Sequence, residues 1–315
     1  MLSDKYVAGF LDADGSIQVK LKGEAQKPLL SVSFSQREDQ DGVIHQIQEQ
    51  FGGRIRTKAV KGGRYTELVV NGKAARRLLD RVAKHLVVKR YYAQWCRDAC
   101  EQPTGDRKAF RKRRDEARRQ SSLPLPNFPP RKWLAGYLDG DGCFYAKRQG
   151  NGSRKAVQLA LSVASSPYDN EGLRIIQQAF GGRIKVHEHS NWKNELILEL
   201  PPSKAEKVLG YCSDSMVVKR DQAKFILGCA RMGHYRDGDA IHAGLKHLKT
   251  RPHRLSDPDA DLSELLERVQ DDKWGGHRRK YDACLDCGTT ERPHYARGYC
   301  STCYHARQRA GEFSA

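Results

Sequence analysis

The sequence predicts an α+β protein made of two copies of one unit, followed by a small metal-stabilised module. Three observations carry that reading: an internal repeat at domain-length spacing, apolar periods that switch from helical to two and back within each copy, and two C-x2-C pairs near the end of the chain. At 315 residues the chain has room for two average domains and an appendage.

The repeat begins at Ala8-Gly-Phe-Leu-Asp-Ala-Asp-Gly15, which returns as Ala135-Gly-Tyr-Leu-Asp-Gly-Asp-Gly142 at an offset of 127. Phe51-Gly-Gly-Arg-Ile55 recurs from Phe180 at an offset of 129, and Val87-Val-Lys-Arg90 from Val217 at 130. The slow drift means short loop insertions between otherwise matching elements.

Within the first copy, a short apolar helix is followed by Ile17, Val19 and Leu21 alternating with Gln18, Lys20 and Lys22, the period of a half-buried strand. A second strand reads from Leu30, Val32 and Phe34 alternating with serines, and Ile44, Ile47 and Phe51 then take helical spacing until Gly52-Gly53 stops them. Strands over 54–58 and 65–70 and helices over 73–86 and 89–100 complete the unit, in the order α-β-β-α-β-β-α-α. The second copy repeats that order to about residue 233. The expected organisation is a first domain at 1–102, a connection at 103–131, a second domain at 132–234, a polar linker at 235–280 with one short helix over 262–269, and the metal module at 281–315. The connection holds the basic run 107–114 and a proline-rich run over 123–130 that breaks regular structure. The basic run reads either as a solvated helical face or as a contact to nucleic-acid backbone.

Lys and Arg total 56 against 38 Asp and Glu, a net charge of +18, which favours a polyanionic partner, nucleic acid first. No apolar run approaches the ~18 residues that span a bilayer, and the first residues lack a basic region leading into an apolar one, so the expectation is an intracellular protein of the cytoplasm or nucleoid with no membrane partner. Four of the nine cysteines form the paired motif and five are scattered, the usage of metal ligation in a reducing compartment rather than of a disulfide framework.

The repeated helix carries the chemistry. Gly9 and Ala13, like Gly136 and Gly140, are four apart and share a helix face. Two such faces pack closer than the usual ~8–10 Å between axes, which brings the two helix ends together. Each helix ends in Asp-x-Asp-Gly, placing carboxylates where the helix dipole disfavours them. Of each pair, Asp14 and Asp141 are expected to face the shared axis, while Asp12 and Asp139 satisfy nearby donors. Two carboxylates meeting on an axis repel unless divalent cations lie between them, and hard oxygen ligands suit Mg²⁺.

These strings resemble the LAGLIDADG motif of homing endonucleases, at Ala8, Gly9, Asp12, Ala13, Asp14 and Gly15, and again at Leu134, Ala135, Gly136, Asp139, Asp141 and Gly142. The departures are Val7, Phe10 and Leu11 in one copy and Tyr137, Leu138 and Gly140 in the other. The resemblance covers roughly residues 1–233. It implies two αββαββα units whose strands form a saddle over double-stranded DNA, with Mg²⁺ held by Asp14 and Asp141 for hydrolysis of one phosphodiester in each strand. It also implies catalytic roles for Lys89 and Lys219, equivalent basic residues preceding a helix, and for Gln36, a water-organising position whose counterpart, Ser165, departs from a long amide.

Reading of the DNA falls to the polar strand faces. Gln18, Lys20 and Lys22 with Arg54, Arg56 and Lys58 form one set, and Tyr145, Lys147 and Gln149 with Arg183, Lys185 and His187 the other. A two-stranded ribbon enters the major groove, where Arg and Lys suit guanine and Gln suits adenine. The sets differ, so the expected target is asymmetric, and two copies in one chain make a monomer sufficient. Cys284, Cys287, Cys300 and Cys303 have the spacing of a closed structural Zn²⁺ site, flanked by basic residues. The competing readings are an intron RNA maturase on the same saddle and a DNA-binding regulator without cleavage. The joint presence of Asp14 and Asp141 favours the nuclease, because a pure binder gains nothing from carboxylates facing phosphate.

Overall fold

The computed structural model describes residues 1–22, 27–60, 63–101, 106–120, 124–149, 156–165, 170–188, 194–231, 238–250, 262–267, 283–289, 294–296 and 299–312. The first copy runs α1 (Asp4–Asp14), β1 (Gly15–Lys22), β2 (Lys27–Arg37), α2 (Gly42–Phe51), β3 (Arg54–Val60), β4 (Gly63–Asn71), α3 (Gly72–Val82) and α4 (Arg90–Ala99). The expected helix over 73–86 stops at Val82 and closes with a 3-10 turn, Ala83–His85, before the chain turns into α4. After α5 (Arg107–Arg119), the second copy follows as α6 (Arg131–Asp141), β5 (Gly142–Gln149), β6 (Ala156–Ser165), α7 (Glu171–Phe180), β7 (Arg183–His187), β8 (Glu195–Leu200), α8 (Pro202–Cys212) and α9 (Arg220–Arg231).

Both copies form a four-stranded antiparallel sheet with the same strand order, β1-β2-β4-β3 and β5-β6-β8-β7. Register follows the apolar alternation: Ile17 pairs with Val32 and Val19 with Leu30 on the inner face, and Phe144 pairs with Leu161 in the second sheet. Helices cover those inner faces, and the outer faces keep the polar residues.

The core is continuous from one half to the other because α1 and α6 pack backbone against backbone. A Cβ on Gly9 would lie 1.9 Å from the Trp133 carbonyl oxygen, and one on Gly136 would lie 2.1 Å from that of Tyr6. No side chain fits at either position. One departure from the motif is explained here too: a Cβ on Gly140 would stand 2.4 Å from that of Ala13, so the axis has room for one methyl and not two.

Between and after the copies, up to the C-terminal module, the described residues hold one helix that the sequence did not predict beside the two it allowed. The basic run lies in α5, held on α4 by Phe110 and Ala117. The stretch read as polar linker opens with α10 (Gly238–Thr250), which packs on α9 and β5 through Ile241, Leu245 and Leu248, and the short expected helix is α11 (262–267), with Leu262 buried. The C-terminal module comprises a turn at 284–287, a hairpin of β9 (His294–Ala296) and β10 (Tyr299–Cys300), and α12 (Ser301–Arg309). No described helix is long and apolar enough to cross a membrane.

Candidate active site

The helix pair delivers four aspartates to one place and gives them two roles. Asp12 accepts from the backbone N–H groups of Val87 (2.7 Å), Val88 (3.2 Å) and Lys89 (2.8 Å) and from the Trp133 indole (2.8 Å). Asp139 accepts from Val217 (2.6 Å), Val218 (3.1 Å), Lys219 (2.8 Å) and the Tyr6 hydroxyl (2.6 Å). Each half therefore lends an aromatic donor to the other half's aspartate. These carboxylates are buried and fully engaged, and they tie the turn before α4 or α9 to the end of the motif helix. The sequence reading expected this division but missed the donors. Tyr6 and Trp133 sit at the same offset of 127, which was the available signal.

Asp14 and Asp141 are the last residues of α1 and α6 and sit where the two ends meet. The Asp14 carboxyl carbon is 3.4 Å from the Cβ position of Gly140, the residue before Asp141. Burial pushes the Asp141 carboxyl up to about 7, with the neighbouring Asp14 charge adding to the rise and Lys89 and Lys219 opposing it. Burial likewise raises Asp14, against the pull of Lys219, Lys89 and a 3.4 Å hydrogen bond from the Gln36 amide. Two half-hidden acids in mutual repulsion, each within the field of both lysines, make one electrostatic unit.

The lysines are built into it. Lys89 Nζ lies 2.8–3.3 Å from the carbonyl oxygens of Leu11, Asp12, Ala13 and Gly15, and Lys219 Nζ lies 2.7–3.1 Å from those of Leu138, Gly140 and Gly142. Each ammonium caps the carbonyl end of a motif helix, where unpaired acceptors and the dipole favour a cation. This offsets the cost of ending that helix in acid. Burial lowers the Lys219 pKa, and the charges of Asp139, Asp14 and Asp141 counter that fall.

On the outer faces, Gln18 and Lys20 of β1 point away from the core, as do Arg54, Arg56 and Lys58 of β3. Tyr145 is half-buried on β5, and Arg183, Lys185 and His187 are exposed on β7. The side chains of Lys22, Lys147 and Gln149 lie outside the described residues. An acidic residue that the sequence reading did not single out stands among each basic set. Glu67 on β4 pairs with Arg56 (2.5 Å) and Lys58 (2.7 Å), and Glu199 on β8 pairs with Lys185. Cross-strand pairing on one sheet face holds the basic side chains upright in both copies.

In the C-terminal module the ligand atoms of Cys284, Cys287, Cys300 and Cys303 all lie within 4.8 Å of one another. The backbone N–H of Cys300 donates to Cys284 Sγ at 3.2 Å, and Gly288, at φ +65, closes the turn by donating to the Cys284 carbonyl at 2.9 Å. Desolvation works to raise the Cys284 thiol, but backbone donors from Cys287, Cys300 and Asp286 outweigh it and bring it down to about 6.

Residues 134–227 match the family described as LAGLIDADG endonuclease, so the second half carries such a domain. A 55-residue stretch is 44% identical to the "Probable intron-encoded endonuclease aI2" of Debaryomyces hansenii, over 18% of this chain and 7% of that protein. Among solved structures, the I-SmaMI LAGLIDADG homing endonuclease bound to cleaved DNA superposes with a TM-score of 0.58 at 15% identity, covering 81% of this chain and 99% of that one. The LAGLIDADG meganucleases I-AabMI and I-CpaMI, both bound to uncleaved DNA, give TM-scores of 0.55 and 0.56 at 15% and 13% identity, over 84% and 79% of this chain and 98% of each of theirs. The fold is that of the two-domain LAGLIDADG meganucleases.

Proposed function

We propose that this chain is a site-specific double-strand DNA endonuclease that hydrolyses one phosphodiester in each strand of a long asymmetric target, acting as a monomer with a divalent cation. The observation that carries the reading is the meeting of Asp14 and Asp141 at the joined ends of α1 and α6, under the charge of two capping lysines. Asp12 and Asp139 are spent on structure, so the helix ends present one carboxylate each to the axis.

The donor set fits a hard divalent cation. Two oxygen-bearing groups whose protonation is favoured by burial and by each other gain from a shared positive charge, and Mg²⁺ suits carboxylate ligands. Bound between Asp14 and Asp141, such a cation supplies activation of water and neutralisation of charge developing on phosphate. The chain's own residues do the rest. Gln36 fixes the Asp14 carboxylate, and Lys89 and Lys219 hold the helix ends and keep positive charge beside the place where a phosphate enters. Gln18, Lys20, Arg54, Arg56 and Lys58 face one half of the target and Tyr145, Arg183, Lys185 and His187 the other, with Lys22, Lys147 and Gln149 assigned to the same two sets by their place in the strand alternation. The four cysteines of the C-terminal module form a closed Zn²⁺ site that shapes that module and does no chemistry, because four thiolates leave no open position. Its basic surroundings favour a further contact to DNA.

The test is selection of cleaved sites from a randomised duplex library in Mg²⁺. Recovery of one long asymmetric sequence cut in both strands is the expected result. Tight binding with no cutting would put a regulator or an RNA maturase in its place.

A further inference from the structure

The drift of the repeat offset, 127, 129 and 130, continues through the helix after each copy: α5 begins at Arg107 and α10 at Gly238, an offset of 131. Buried residues agree at that offset, with Phe110 opposite Ile241 and Ala117 opposite Leu248. The basic helix of the connection is thus the ninth element of the unit and not a tether. In the second copy this helix packs directly on β5, with Leu245 buried. In the first copy the position equivalent to Leu245 is Arg114, and α5 stands off β1 across a cleft of about 230 Å³.

Arg107, Arg111, Arg114 and Arg118, spaced four, three and four, form one stripe along α5 and line that cleft opposite Gln18 and Lys20 of β1. Among the described residues, no carboxylate lines it. Arg118 is steadied by the Tyr92 hydroxyl at 3.0 Å and Arg114 by Asp115 at 2.9 Å. Arg107 and Arg111 are exposed and make no ion pair among the described residues. With Arg114 standing where the other copy packs Leu245, the row of guanidinium groups gathers positive charge along the cleft, and an anion bound there offsets their mutual repulsion.

We infer that this cleft is a binding site for the DNA backbone, gripping phosphates on one side of the cut only. The inference rests on the nuclease reading and adds to it a clamp in one half-site, where the α5 arginines border the base-reading strand β1. Strand β1 leaves Asp14 at about 3.3 Å per residue, so with β1 lying along the duplex Gln18 would stand about 13 Å and Lys20 about 20 Å from the cut. At about 3.4 Å per nucleotide, the gripped phosphates lie about four to six base pairs from the cut, in the half-site under the first copy.

The experiment uses the full chain and the duplex recovered by the selection above, comparing wild type with Arg107→Gln/Arg111→Gln. The double variant should keep its unfolding temperature and its cut positions, bind that duplex several-fold more weakly, and lower the slope of log affinity against log salt by about 1 to 2, since each phosphate contact contributes about 0.9. Methylphosphonates placed about four to six nucleotides from the cut should weaken the wild type and leave the variant unaffected, while the same change in the other half-site should affect both proteins alike. An unchanged salt slope, or an equal methylphosphonate penalty in both proteins, overturns the clamp while leaving the nuclease standing. A wild type that binds no duplex overturns the nuclease reading and the clamp with it.

Discussion

Two aspartates separated by one residue come to opposite ends, and the difference is where each side chain finds donors. Asp12 and Asp139 point back into the turns before α4 and α9 and are saturated there, whereas Asp14 and Asp141 emerge at the axis with a single amide between them. Asp12→Ala should cost about 3–5 kcal/mol in urea unfolding, because three backbone N–H groups and the Trp133 indole lose a buried charged acceptor. Asp141 gives a pH dependence. Its folded pKa of about 7 lies above its ordinary 3.8, so the folded state holds the proton better. The stabilisation is full in acid below about 4 and is lost as pH rises through about 7. In chelator, Asp141→Asn should therefore raise stability over wild type at pH 8 by on the order of 2–4 kcal/mol and change it little near pH 4. Added Mg²⁺ should narrow the gap by stabilising only the wild type. Equal stabilities of the two proteins at pH 8 in chelator would show that the carboxylate carries no such strain.

Among the elements, the α1–α6 pair has the least tolerance. Gly136→Ala drives a methyl into the Tyr6 carbonyl and should destabilise by about 1–3 kcal/mol in the same unfolding assay, while Ala13→Gly, which only removes a methyl at the axis, should cost less. This pair was legible in the sequence because small residues four apart have few other uses when they recur beside acid. The strands were legible because alternation over Ile17, Val19, Val32 and Phe34 survives in a sheet with one wet face. Helix α10 was not. Its apolar stripe is three residues long and is broken by Gly244, which the Phe225 ring needs empty, so the local signal is weak and tertiary packing decides. The lysines were half legible: their repetition marked them, but their grip on helix carbonyls needed the long-range fold.

At the scale of the molecule, duplication brings the two motif-helix ends together and leaves two sheets with unlike polar outer faces. The C-terminal module holds four clustered thiols, and among its described residues only Cys284 and Cys300 are buried, so its fold is expected to depend on metal. Removing Zn²⁺ with a strong chelator should make residues 283–312 sensitive to protease while the main thermal transition stays in place; loss of both together would mean that the module supports the core. Asp14 and Asp141 are proposed to form one shared hydrolytic centre, and cleavage and binding of the selected duplex in Mg²⁺ by wild type, Asp14→Asn and Asp141→Asn tests this. The predicted result is that either substitution abolishes double-strand cleavage and leaves binding within a few-fold of wild type. Double-strand cleavage at the wild-type rate by either variant would contradict it.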